Sequence, residues 1–455
     1  MDEKRGRFVV TVLALSAFGP YLAGGLRTDQ LAAYGFATLL LPLLWPQIRV
    51  GIAGAVMLGS LLTFLAISAL VWATGGSAAA TDWGPGSALA NADNLLLPLT
   101  AFLVVVAVVR PEGRERGLVI TTRIVTAAMC ANAVVAIMQY LFPSMTNPVI
   151  ASFWGAGGTA ERALTIGRYT GIVGQPSAAG IMYSLALVCA IYVLRDRGKI
   201  QACVIGLLVL GGVMTLSKGF LLGGLPIAAW QLLTVGGKFG RRATVVLLAA
   251  ALTSAVAAVG LLDRWQGLDR LLYLLPGGEA NLNDYLGNRY GDSGTAGMLL
   301  DAVWEQEPIH GYGLSGLRIA TDTAFAHGMV LGGLLGVLAV TVMTLTPLVT
   351  VFRRRLSLPR HELFLFSGVS LIVAVTSLGA PTLVVNRVSV VVWMLFALLL
   401  SGPRDRLLRE PGQFQSERTR NEESETSAMP RVALGPGSQE RVGTTPHRRA
   451  LDSSD

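Results

Sequence analysis

The chain has 455 residues, of which 52% are hydrophobic and only 14% charged, and its mean hydropathy is +0.57. Those proportions exclude an ordinary soluble domain and place the chain among polytopic membrane proteins. The net charge of +8 would suit nucleic acid, but the basic residues stand in short clusters between apolar runs rather than on one face. That spacing argues against a nucleic-acid partner and for orientation in a bilayer.

In chain order, Met1 to Arg7 is a charged start, and Phe8 to Gly24 is apolar without a convincing small-residue cleavage site, so it reads as a retained first helix. Further spans are expected at Leu31 to Trp45, Val50 to Thr74, Asn94 to Val109, Leu118 to Phe142 and Ala178 to Leu194. Next come Ile200 to Thr215, Gly219 to Val235, Thr244 to Leu262, Ala324 to Phe352, Leu363 to Ala380 and Thr382 to Gly402. About twelve spans result, each near the ~20 residues a bilayer requires, with a short pair around Ser217-Lys218-Gly219. The expected fold is all-α: a polytopic transmembrane helix bundle over residues 1–402, with a long extracytoplasmic loop at 263–322 that contains short helices. Cys130, Cys189 and Cys203 lie in apolar runs without the paired spacing of zinc or of a disulfide framework, so neither a metal nor a cofactor is expected.

Loop charges orient this arrangement, because Lys and Arg are retained on the cytoplasmic side. With the N terminus inside, the inner loops carry Arg49, Arg110-Arg114-Arg116, Arg195-Arg197-Lys199, Lys238-Arg241-Arg242 and Arg353-Arg354-Arg355-Arg360. The short outer connections hold little beyond Arg27, and Gly75 to Asp93 has no Lys or Arg. Two long outer segments break the rule, one with Arg162 and Arg168, the other with Arg264, Arg270, Arg289 and Arg318. From Pro403 to Asp455 the composition shifts to Arg, Glu, Ser, Thr, Pro and Gly, which reads as a disordered cytoplasmic tail.

The outer positive charge needs a separate explanation. Gly167-Arg168-Tyr169-Thr170-Gly171 and Gly174-Gln175-Pro176 stand at the mouth of a helix, where Gly and Pro permit a sharp turn and an approach of backbone N–H groups to an anion. Arg168 would add a fork of donors for phosphate, or else sit as a plain arginine at the lipid headgroups. Lys218, Arg123 and Arg387 can each snorkel to an interface, and for Arg387 that interface is the outer one. In the long loop, Asp292-Ser293 can cap a helix from Thr295 to Gln306, ended by Pro308, with Leu299, Leu300, Val303 and Trp304 as an apolar face that would let it act as a lid. Gly311-Tyr-Gly-Leu-Ser-Gly316 matches the dinucleotide string, but no strand precedes it and no βαβ unit is possible. His327, where the next apolar run begins, is a natural proton acceptor at neutral pH, although a lone histidine is often structural.

The short helix pair at Leu216-Ser-Lys-Gly219, the Gly174-x-Pro176 turn, the loop closing on Pro308-Ile-His-Gly311-Tyr-Gly313, and Ala326-His327 entering a Gly-rich helix together resemble the O-antigen ligase and O-antigen polymerase family. The resemblance runs from about Arg168 to Gly336. It implies a bacterial cytoplasmic-membrane enzyme with both termini inside. This would transfer an undecaprenyl-diphosphate-linked glycan to an acceptor hydroxyl, on a glycan or another molecule, outside the membrane and without metal or nucleotide. Carried over by residue, it places Arg168, Lys218 and Arg289 on the diphosphate and His327 at the acceptor. Arg318 and Arg387 join the candidate binding set by their outer position. Arg289 stands in for an arginine that members place after a Ser-Gly such as Ser293-Gly294, and Gly328 follows His327 where asparagine is frequent. The alternative is a polytopic transporter of a lipid-linked or anionic solute, which would show two related halves, broken helices and charges near the bilayer midplane.

Overall fold

The computed structural model describes residues 3–22, 25–48, 50–75, 84–155, 158–165, 167–235, 295–318, 321, 323–384 and 386–401. Their helices are α1 Glu3–Ser16, α2 Thr28–Leu44, α3 Ile52–Ala73, α4 Ala88–Val108, α5 Arg114–Leu141, α6 Pro143–Trp154, α7 Gly158–Thr165, α8 Pro176–Val193 and α9 Gly198–Met214. A π-helical stretch, Gly219–Gly224, leads into α10 Leu225–Val235. After it come α11 Thr295–Gln306, α12 Ala324–Arg354, α13 Arg360–Ser377 and α14 Asn386–Leu400. Among the described residues there is no strand, only two isolated bridges, Tyr21 with Arg27 and Pro85 with Leu317.

Helices α3, α4, α5, α8 and α12 are long and apolar enough to cross a membrane. In hydrocarbon every backbone N–H and C=O must be satisfied within the chain, which a helix does without help from neighbours. The expected span at Thr244 to Leu262, the tail from Pro403, and most of the long loop with Arg264, Arg270, Arg289 and Asp292 lie outside the described residues.

Two helices form the centre. Ala178 to Tyr192 of α8 and Val388 to Leu400 of α14 are buried without interruption, as befits helices apolar on every side. Around them α5 packs on α1, α8 and α9, α4 on α2 and α14, α12 on α3 and α13, and α13 on α8. Successive long helices alternate in direction, so their termini collect at two ends. At the basic end Arg114 of α5 donates to Glu362 of α13 at 2.5 Å, both side chains under one-tenth exposed, and Arg116 pairs with Glu3. The opposite, distal end gathers the end of α1, the starts of α2, α4 and α8, and the turn between α13 and α14. There Thr28 Oγ1 donates to Ser16 O at 2.8 Å and Tyr21 N to Phe153 O at 2.7 Å.

The structure departs from the sequence expectations at three places. Helices α6 and α7 occupy the segment read as a loop from Pro143, with Pro143 at the first position of α6, where its missing N–H costs nothing. The α11 face is only half as expected: Leu299 and Val303 are buried, whereas Leu300 and Trp304 point outward, because α11 meets α12 along a narrow stripe. Finally, α12 is not one rod. Gly333 takes φ 57° and ψ −147°, so a short arm, 324–332, is turned against the longer arm, 334–354. Gly328 and Gly336 face each other across this crossing, where a Cβ on either would strike the other's backbone.

The loop after α11 is wedged into the break and satisfies the groups it frees. Leu334 N donates to Pro308 O at 2.9 Å, Leu335 N to Ile309 O at 3.3 Å, and Tyr312 N to Val330 O at 2.8 Å. Gly311, Gly313 and Gly316 have φ of 61°, 68° and 53°. A Cβ at Gly311 would enter the backbone of Met329 and Val330, and one at Gly313 the backbone of Ser68 and Trp72 in α3. The dinucleotide-like string is thus a structural wedge, held further by Tyr312 Oη, which lies 3.0 Å from Ala302 O and 2.9 Å from Gln306 Oε1.

Gly333→Ala should lower stability by at least about 1–3 kcal/mol, since its backbone region is open essentially to glycine alone and the new Cβ meets Ile309 and His310. Gly35→Ala, whose Cβ would meet nothing within 4 Å, serves as the control and should leave the thermal unfolding temperature in detergent unchanged. Equal melting of the two variants would show that the break tolerates a side chain.

Candidate functional site

His327 sits on the short arm of α12, one turn inside the helix capped by Thr323, whose Oγ1 accepts from Ala326 N at 2.9 Å. Its side chain is buried, at 9% exposure. Nδ1 lies 3.1 Å from Thr321 Oγ1, and Nε2 is buried with no hydrogen-bond partner among the described residues. Arg318 is exposed on the strip leading to this arm, with its N–H donating to Gly84 O at 3.1 Å, beside the bridge of Leu317 to Pro85.

Arg387 opens α14 and is 5% exposed. Its Nη1 donates to Ile172 O at 3.2 Å and its guanidinium stands 5.0 Å from the Tyr21 ring centroid, while Nη2 is buried without a hydrogen-bond partner among the described residues. Asp29, fully buried, lies within electrostatic reach of it. Asp29 Oδ1 pairs with Arg27 Nε at 3.2 Å, and Arg27 Nη2 with Asp93 Oδ2 at 3.2 Å. Gln30 Nε2 and Tyr34 Oη complete the Asp93 shell at 2.7 Å each. Two carboxylates thus oppose two guanidinium groups, the balance that lets charge persist away from water. Arg387 is therefore a member of a balanced cluster, and not the snorkelling arginine that its place near a span end suggested.

Arg168 is half-buried on the loop before α8. Its N–H donates to Ala163 O at 2.9 Å, and Tyr169 N to Met214 O at 3.0 Å, which ties this loop to the turn that bears Lys218. That turn contains Leu216 at φ 50°, the only non-glycine residue with positive φ among those described, and Lys218 precedes the π-helical stretch. Two amides on one face of α5 hold the Arg168 loop. Asn132 Oδ1 accepts from Ile172 N at 2.7 Å, and Gln139 Oε1 accepts from Gly171 N at 2.8 Å. These two loop N–H groups are consumed internally, so the expected backbone cradle for an anion is not formed by them.

The loop at 168–172 contacts Arg387 through Ile172 O and the turn before Lys218 through Tyr169 N, while Arg318 ends the wedge loop that is bonded to the arm of His327 through Tyr312 N and Val330 O. The start of α4 links both groups: Asn91 Nδ2 donates to Leu314 O of the wedge at 2.9 Å, and Asp93, two residues on, belongs to the Arg27 cluster. Arg289 lies outside the described residues. Sequence reading passed over Asn132, Gln139, Asp29 and Asp93. The signal available for them was polar side chains at the ends or within apolar spans, which are expensive there unless they hold something.

Arg27→Ala should destabilise the protein by about 3–5 kcal/mol, the cost of leaving a buried carboxylate without its cation. Adding Asp93→Asn should return part of that loss. Both are read from thermal unfolding and from the monodisperse yield in detergent, and an Arg27→Ala protein as stable as the wild type would remove the cluster from the fold's support. No protein-family model matches the sequence, and no curated protein matches it either.

Proposed function

We propose that this chain is a membrane glycan transferase of the O-antigen ligase or polymerase type, moving an undecaprenyl-diphosphate-linked glycan onto an acceptor hydroxyl outside the bacterial cytoplasmic membrane, without metal and with inversion. The observation that carries the proposal is that two buried groups each keep a polar atom without a partner among the described residues, the imidazole nitrogen His327 Nε2 and the guanidinium nitrogen Arg387 Nη2. Orientation supports it. The clusters Arg110-Arg114-Arg116, Arg195-Arg197-Lys199 and Arg353-Arg354-Arg355 lie at the basic end, where retained positive charge marks the cytoplasmic side. In this reading the bundle has about twelve spans, both termini are inside, and 263–322 is the long outer loop.

The proposed chemistry is a direct displacement. His327 takes the proton of the acceptor hydroxyl at Nε2. The acceptor oxygen forms its bond to the anomeric carbon from the face opposite the diphosphate, and the electron pair of the broken C–O bond leaves on the diphosphate oxygen. Guanidinium donors from Arg168, Arg289, Arg318 and Arg387, with Lys218, would stabilise that developing charge.

A second reading is favoured by one observation. The break at Gly333 in α12 is the kind of discontinuous helix on which transporters build solute sites. Proteoliposomes separate the two: a transferase makes a covalent glycan product, and a transporter moves the unchanged solute across the bilayer.

In transfer from a purified undecaprenyl-diphosphate-linked glycan, His327→Ala should lower turnover by about 10²–10⁴-fold with lipid binding retained. Arg289→Ala and Arg387→Ala should weaken lipid binding as well, and Arg289→Lys should recover only part, since lysine keeps the charge without the bidentate fork. Wild-type transfer by a folded His327→Ala protein would remove the histidine from the mechanism.

A further inference from the structure

We infer that Thr321 is a positioning residue for His327: its hydroxyl oxygen accepts the Nδ1 proton of the neutral imidazole and so leaves Nε2 as a bare lone pair. The use of this lone pair in turnover rests on the function proposed above, whereas the tautomer itself does not.

Thr321 Oγ1 and His327 Nδ1 are 3.1 Å apart, a normal hydrogen-bond length, and Nε2 is buried with no hydrogen-bond partner among the described residues. A neutral imidazole carries one N–H and one lone pair, so two arrangements compete. If Thr321 donated to Nδ1, the ring proton would sit on Nε2 as a buried donor without an acceptor. If Nδ1–H donates to Thr321, the orphan is an acceptor, and buried unpaired donors are much the rarer of the two. The doubly protonated ring would bury a charge as well as an unpaired N–H, the costliest arrangement.

The geometry around the pair limits the ring's freedom. The first turn of the short arm is closed by His327 N donating to Thr323 O at 3.0 Å and by the Thr323 cap. Behind it the arm ends in the wedge, through Tyr312 N to Val330 O. The backbone that carries the imidazole is thus fixed at both ends, and the remaining choice, which nitrogen bears hydrogen, falls to Thr321. In proton abstraction this choice decides whether the nitrogen facing the acceptor hydroxyl can take a proton at all.

The test reads the tautomer without substrate. In protein with ring-¹⁵N histidine, the chain's four histidines give separable nitrogen signals, and a His327→Gln variant assigns the set that disappears. The wild type should carry its proton on Nδ1. Thr321→Val, which keeps the shape and loses the acceptor, should move the proton to Nε2 or mix the tautomers, and Thr321→Ser should restore the wild-type pattern. In transfer, Thr321→Val should lower kcat about tenfold, one ordinary hydrogen bond's worth, with KM unchanged and Thr321→Ser near wild type. A wild-type proton on Nε2, or a Val variant with an unaltered Nδ1–H signal, would overturn the inference. No transfer by the wild type, with the tautomer pattern as expected, would sink the proposed function and leave the role of Thr321 standing.

Discussion

A backbone break among apolar helices survives only if every N–H and C=O it releases finds a partner, because no water is at hand to take them. The turn at Gly333 releases such groups within α12, and the 308–316 loop pairs with three of them, Leu334 N, Leu335 N and Val330 O. The short arm is held at an angle its own helix would not take, and with it His327, Thr323 and the approach of Thr321. The glycines of the loop are there because the backbones of α3 and the short arm come too close for any Cβ.

The second organising element is electrostatic. Asp29 and Asp93 set against Arg27 and Arg387 bind the starts of α2, α4 and α14 at one place, and Arg387 extends the tie to Ile172 in the loop before α8. Such a cluster adds little stability over well-packed apolar side chains, but breaking it is expensive, so it selects one arrangement of the helices over near alternatives. It also places Arg387 in a charged setting: Asp29 lies within electrostatic reach of its guanidinium, and Nη2 is buried without a hydrogen-bond partner among the described residues. Asn91, two residues before Asp93 of the cluster, donates to Leu314 O of the wedge, so the start of α4 touches both.

The candidate site was legible in part. Arg168, Lys218, Arg387 and His327 stood out as cations or a histidine at span ends. Their partners were not visible. Asp29 and Asp93 lie far apart in the chain, near Arg27 in one case and within a segment without Lys or Arg in the other, and only helix packing puts them around one guanidinium. Asn132 and Gln139 share one face of α5, but nothing in their spacing tells that the face meets a loop about forty residues on, rather than lipid or another helix.

The sequence by itself determined the all-helical class and the approximate positions of the five helices long and apolar enough to cross a membrane, because apolar runs of bilayer length bounded by charge leave the backbone no other way to satisfy itself. It also determined the start of α11, whose range Thr295–Gln306 agrees with the capping and proline signals. What only the tertiary structure decided was which apolar helices are central, where α12 bends, and what each buried polar group touches. Helices α8 and α14 read like any other apolar span until their neighbours surround them. The bend at Gly333 is invisible among several glycines of the same run, since the residue that turns is chosen by the loop lodged against it and not by its own propensity.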